Sequence, residues 1–85
     1  MFSTEIFGQR LRAVRKAHDE KQEDLGLLLG VGKSQVSELE CGTASTTLEK
    51  LSFICEHYNI SADYLLGLTD EPKPHKRKKP KKNLP

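Results

Sequence analysis

Phe7, Leu11 and Val14 recur at i, i+4 and i+7 with polar residues between them, a spacing that gathers apolar side chains on one stripe of a helix. Arg10, Arg12 and Lys16 fall off that stripe and read as a solvated face. Ser3 is the expected N-cap, and Phe2 is placed to staple onto Phe7 across the first turn. A second helix is expected over about 22–29, where Glu23 and Asp24 suit the positive end of the helix dipole. Gly30-Val31-Gly32 breaks it with two residues that tolerate positive φ. A third helix follows over about 33–41, turned inward at Val36 and Leu39 and closed by Gly42. Thr46-Thr47-Leu48-Glu49 has capping-box spacing at the start of a fourth helix, whose buried positions are expected at Leu48, Leu51, Phe53, Ile54, Cys55 and Tyr58. Ser61 caps a fifth over 62–66, ended by Gly67. No stretch alternates as a strand does and residues 1–70 hold no proline, so the pattern predicts an all-α body of five helices.

Composition narrows the picture. The chain has 85 residues, 35% of them hydrophobic and 31% charged, which supports one small domain only if most of its Leu, Ile, Val and Phe enter the core. No run approaches the roughly 18–20 apolar residues of a membrane span, and Met1-Phe2-Ser3-Thr4-Glu5 lacks the basic start of a signal peptide. Cys41 and Cys55 stand outside any Cys-x-x-Cys pattern, so the expected setting is a reducing cytoplasm with neither disulfides nor zinc. His18, His57 and His75 lack ligand spacing. With no nucleophile–base pair and no phosphate-cradling loop, neither enzyme chemistry nor a cofactor is expected. The formal charge of +2 conceals an asymmetry. Residues 1–70 carry seven basic and eleven acidic side chains, net −4; residues 71–85 carry seven basic ones against Glu71 alone, net +6. That tail holds all four prolines and one large apolar residue, Leu84, too little to offset its ordering entropy. It is expected to be disordered, with the domain boundary near Asp70.

The two short helices flanking the glycine turn match a helix-turn-helix. The stretch Phe7-Gly8-Gln9-Arg10-Leu11-Arg12, then Gln22-Glu23-Asp24-Leu25-Gly26, then Gly30-Val31-Gly32-Lys33-Ser34-Gln35-Val36-Ser37-Glu38-Leu39-Glu40-Cys41-Gly42 resembles the Cro/repressor-type helix-turn-helix domain of phage and bacterial regulators. Tyr58-Asn59-Ile60-Ser61-Ala62-Asp63-Tyr64-Leu65-Leu66-Gly67 is similar to that family's last two helices, so the resemblance covers about residues 5–68. It implies a lambda-repressor-like fold whose third helix lies in the major groove of double-stranded DNA. Base-facing positions would then be Lys33, Ser34, Gln35, Ser37 and Glu38. Their chemistry suits the groove: Lys33 donates to guanine O6 and N7, Gln35 makes a two-point contact with adenine, and Glu38 accepts from cytosine N4. The resemblance further implies that Gln22 meets a phosphate and braces the reading helix, that Thr43 lies in the DNA-facing loop, and that Arg15 and Glu40 form a structural salt bridge. The function so implied is a transcriptional regulator, a repressor acting as a homodimer on a palindromic site. A small-molecule effector site is not expected.

Several residues depart from the family pattern. Relatives start the second helix with a Ser or Thr cap preceded by an apolar residue; here the positions hold Lys21 and Glu20, a loss of about 1 kcal/mol. Gly26 replaces a usual alanine, with about 1 kcal/mol less helix propensity. Leu27 stands where relatives carry a charge, and the loop Cys41-Gly42-Thr43-Ala44-Ser45 has no basic residue. Leu27, Leu66 and Leu68 are either core residues or a dimer face. Lys76, Arg77, Lys78, Lys79, Lys81 and Lys82 are expected to supply DNA contacts without sequence preference, or else to fold onto the acidic body. The alternative function is a protein-interaction module, an antirepressor or antitoxin-like subunit, whose partner or antagonist occupies the acidic surface.

Overall fold

The first helix begins where its sequence places it. Ser3 Oγ accepts the amide of Ile6 at 3.2 Å, and the Phe2 ring meets Phe7 edge-on with centroids 6.1 Å apart. The computed structural model describes residues 2–74. Five helices follow in order: α1 Thr4–Ala17, α2 Gln22–Leu29, α3 Lys33–Cys41, α4 Leu48–Tyr58 and α5 Ala62–Leu65. There is no strand among the described residues. α2 and α3 match the expected spans, α1 follows its expected Ser3 cap, and α5 stops one residue early, at Leu65. Gly30 takes a left-handed conformation, φ 72°, that closes α2 and turns the chain into α3.

Every helix contributes to one core. Phe7 and Leu11 come from α1, Leu25 from α2, Val36 and Leu39 from α3, Ile54 and Tyr58 from α4, and Leu65 from α5, with Ile60 in the preceding loop. Each such aliphatic or aromatic side chain is worth about 1.5–3 kcal/mol when fully buried, so this cluster outweighs any single surface ion pair.

Two expected core positions are corrected. Leu48 is 83% exposed and Phe53 41%. Leu51, Ile54, Cys55 and Tyr58 form the inward stripe of α4. Phe53 lies about 200° around the helix from Leu51, at 100° per residue, and stacks on His57 at 6.1 Å. Leu48 is the first helical residue, beyond the last side chain that the core offers. The cap of α4 also shifts by one residue: Thr47, not Thr46, accepts the amide of Lys50, at 3.1 Å.

Gly26 is more than a helix-propensity cost. An added Cβ would lie 2.8 Å from the Val31 carbonyl oxygen, so its absence lets the α2–α3 turn close against α2. Arg10 is likewise not a solvated cation. Its guanidinium donates to the carbonyls of Tyr64 and Thr69, both at 2.6 Å, and to Asp70 Oδ1 at 2.8 Å, while lying 4.3 Å over the Tyr64 ring. The chain keeps contact with the body beyond Asp70, since Pro72 accepts the Ser61 amide at 3.0 Å. The expected DNA contacts of Lys76, Arg77, Lys78, Lys79, Lys81 and Lys82 lie outside the described residues.

Candidate nucleic-acid interface

The α3 helix has two faces of opposite character. Val36 and Leu39 are buried in the core, and Glu40 is buried beside them. Lys33, Ser34, Gln35 and Glu38 are exposed, and Ser37 is half-buried at the edge. The helix therefore offers solvent a polar face carrying every residue type that the sequence nominated for base edges. Its back is seated closely on α1. A Cβ at Gly8 would fall within repulsive range of the Leu39 and Glu40 carbonyl oxygens, so only glycine permits this approach of the two helices.

Below that face lies the expected salt bridge. Arg15 Nε donates to Glu40 Oε2 at 2.6 Å and Arg15 Nη2 to Glu40 Oε1 at 3.0 Å, a two-point pair shielded from solvent. The hydrogen bond to Glu40 holds the Arg15 pKa above its ordinary value, against the opposing effect of burial. Gln22 Nε2 donates to the same Glu40 Oε1 at 3.1 Å, which joins the start of α2 to α3. The half-buried Gln22 side chain also lines a hollow with Arg12, Ser37 and Cys41.

The remaining nominated residues sit as follows. Lys33 Nζ lies 3.5 Å from Glu23 Oε1 in a solvent-exposed pair, a contact that water and salt weaken. Thr43 is one helix length away from Lys33. Its amide and hydroxyl both donate to the Glu38 carbonyl, at 3.0 and 3.2 Å, so it terminates α3 as well as standing beside it.

Other residues at the site were not singled out from sequence. A cleft of about 250 Å³ runs between α3 and the start of α4, lined by Gln35 and Glu38 on one side and Thr46, Thr47 and Lys50 on the other. Thr46 Oγ1 is buried there without a hydrogen-bond partner among the described residues. Lys50 places a cation beside a loop that has none, and its position three residues after the Thr47 cap was the available signal.

A second polar cluster centres on Glu20, in the α1–α2 turn. Its carboxylate accepts from the Tyr58 hydroxyl at 2.6 Å and pairs with His57 Nε2 at 2.8 Å, while its carbonyl accepts from Arg15 Nη1 at 2.5 Å. Burial pushes the Glu20 carboxyl up, but the hydrogen bonds from Tyr58 and His57 outweigh it and leave the group below its ordinary value. Burial and the bond to Glu20 push the Tyr58 phenol well above its usual range, so it stays a donor. Burial also raises the Cys55 thiol. Among the described residues no helix is long and apolar enough to cross a membrane, and no cluster of His, Cys, Asp and Glu has the makings of a metal site.

Comparison with known proteins agrees with this geometry. The helix-turn-helix family matches residues 11–65. The HTH-type transcriptional regulator YobD of Bacillus subtilis is 40% identical over 74 residues, 87% of this chain and 66% of that protein. The antitoxin PezA of Streptococcus pneumoniae is 29% identical over 62 residues, 73% of this chain and 39% of that protein. The chain thus spans less than two thirds of the length of either relative. Among solved structures, the P22 c2 repressor in complex with a synthetic operator superposes with a TM-score of 0.66 at 33% identity, covering 71% of this chain and 91% of that one. With five helices in the lambda-repressor-like arrangement and the Arg15–Glu40 pair beneath an exposed third helix, this chain belongs to the Cro/repressor-type helix-turn-helix family of transcriptional regulators.

Proposed function

We propose that the chain binds double-stranded DNA in a sequence-dependent way, laying the exposed face of α3 in the major groove, and that it represses transcription as a homodimer on a palindromic operator. The observation that carries this reading is the two-faced α3: Lys33, Ser34, Gln35 and Glu38 stand in solvent while Val36, Leu39 and Glu40 are buried behind them. A reading helix needs a back anchored in this way, because base contacts discriminate only when their donors are held in register. Gln22, Thr47 and Lys50 then meet the sugar–phosphate backbone, and Thr43 approaches it from the end of α3. The P22 c2 repressor, which superposes on this chain, is itself bound to an operator, and that likeness supports the same docking here. In a dimer docked this way, half-sites fall about 34–36 Å apart. The body carries a net charge of −4, so Lys76, Arg77, Lys78, Lys79, Lys81 and Lys82 add affinity without preference.

Selection from a random double-stranded DNA library tests this, run with the whole chain and with a version ending at Pro74. Recovery of one palindrome by both, with weaker binding by the shorter chain, is the expected result. If neither enriches a motif, or binding vanishes with the tail, the DNA reading fails. The second reading, a protein-interaction module with little specific DNA binding, is favoured by Leu27, an apolar side chain 83% exposed on α2, and by the likeness to an antitoxin.

A further inference from the structure

The α2 helix starts without the interaction that normally starts a helix. Lys21 occupies the N-cap, and its side chain has no oxygen to accept the free amides of the first turn. One half of the usual reciprocal arrangement survives: Asp24 Oδ2 accepts the Lys21 amide at 2.8 Å. The residue before the cap, where an apolar side chain commonly staples onto the helix, is Glu20. Yet α2 carries Gln22, whose amide touches Glu40 at 3.1 Å and belongs to the candidate interface. Something else must fix the start of this helix.

Glu20 is held on three sides. Tyr58 and His57, at the end of α4, grip its carboxylate at 2.6 and 2.8 Å, and Arg15 of α1 grips its carbonyl at 2.5 Å. The His57 ring lies edge-on to Tyr58 at 4.7 Å, and the His18 ring packs against Tyr58 at 5.0 Å, so the Tyr58 ring is held among its neighbours. Arg15 also holds Glu40, which holds Gln22. A continuous polar path therefore runs from the end of α4, through the residue just before the α2 cap, to the back of the reading helix.

We propose that Glu20, with Tyr58 and His57 as its anchors, is a positioning residue that replaces the missing cap and staple of α2 and thereby holds Gln22 in place for DNA. The assignment of Gln22 to DNA rests on the reading under Proposed function; the replacement of the cap does not. The strap ties the turn to α4, an element distant in sequence, where an ordinary cap would act within one turn. Loss of the strap should loosen the first turn of α2 before it loosens the core.

Tyr58→Phe tests this, because it removes one hydroxyl and keeps the ring in the core. Two measurements are needed. The first is amide hydrogen exchange at Lys21 and Leu25, whose amides are bonded to Asp24 and to the Lys21 carbonyl, against Val36 and Leu39 in α3. Exchange at the first pair should rise about tenfold with little change at the second, as expected for losing a hydrogen bond to a charged acceptor near a helix end. Unchanged exchange at Leu25, or an equal rise in every helix, would overturn the strap.

The second measurement is affinity for the selected operator in a cycle of Tyr58→Phe, Gln22→Ala and the double variant. Tyr58→Phe should weaken operator binding about fivefold and have less than about twofold further effect once Gln22 is gone, the sign of coupled rather than independent sites. Losses that simply multiply would overturn the positioning role. If no operator is recovered with any chain, the DNA reading has failed, and the exchange measurement alone decides whether the strap exists.

Discussion

At the scale of single residues, the molecule concentrates its risk at Arg15 and Glu40. Both are buried, and each satisfies the other through two hydrogen bonds. Glu40→Ala leaves a guanidinium without its counter-charge in the interior, and should cost about 3–5 kcal/mol, far above the value of an exposed pair. Urea denaturation checks this; a loss under about 1 kcal/mol would mean that water or Glu20 had taken over the charge. The exposed Lys33–Glu23 pair shows the contrast. Its separation of 3.5 Å in open solvent adds little, and Lys33 remains available to a stronger partner.

At the scale of elements, the seat of α3 on α1 depends on Gly8. Gly8→Ala pushes a methyl group into two backbone carbonyls that cannot rotate away, so the helices must separate. The expected destabilisation is about 2–3 kcal/mol by thermal or chemical unfolding. On the opposite face Gln35→Ala should leave stability unchanged within about 0.5 kcal/mol, yet cost about 1–3 kcal/mol of discrimination at one base pair of the selected operator. Comparing unfolding curves with operator-variant affinities separates the two effects. These elements also show how far the sequence could be read. The helices and the α2–α3 turn were legible because apolar period and glycine punctuation pointed the same way, whereas the Arg15–Glu40 pair followed from the family resemblance alone. Leu48 and Phe53 were misread because apolar character does not reveal which side of a helix meets the core. Arg10 and Glu20 were missed for another reason. The partners of the Arg10 guanidinium and of the Glu20 carboxylate lie 37 to 60 residues away, and no local pattern announces a long-range hydrogen bond. The nomination of Lys33, Ser34, Gln35, Ser37 and Glu38 came from the family pattern. The structure adds that four of the five are exposed and the fifth half-buried.

At the scale of the whole molecule, acid should loosen the structure partly through Glu20. Its folded-state pKa lies below the ordinary value of 4.5, so its contribution is complete above that pH and fades as the pH falls through the folded value. Thermal melts of the chain and of Glu20→Gln between pH 7 and 3 should therefore differ most at the upper end and converge in acid. A gap that widened in acid would contradict the shift. The clasp formed by Arg10 has a consequence for how the molecule comes apart. Its bonds to Tyr64, Thr69 and Asp70 span 54, 59 and 60 residues, whereas Arg15 and Glu40 are 25 apart. Closing the longest loop carries the largest entropy loss, so this contact belongs late on the folding path, after the nucleus has formed. Arg10→Ala should then raise the unfolding rate several-fold, about in proportion to the stability lost, and leave the folding rate nearly unchanged. Stopped-flow kinetics would show it as a shift of the unfolding arm alone. Arg10 would then act as a latch on the native state's lifetime rather than as a guide to reaching it.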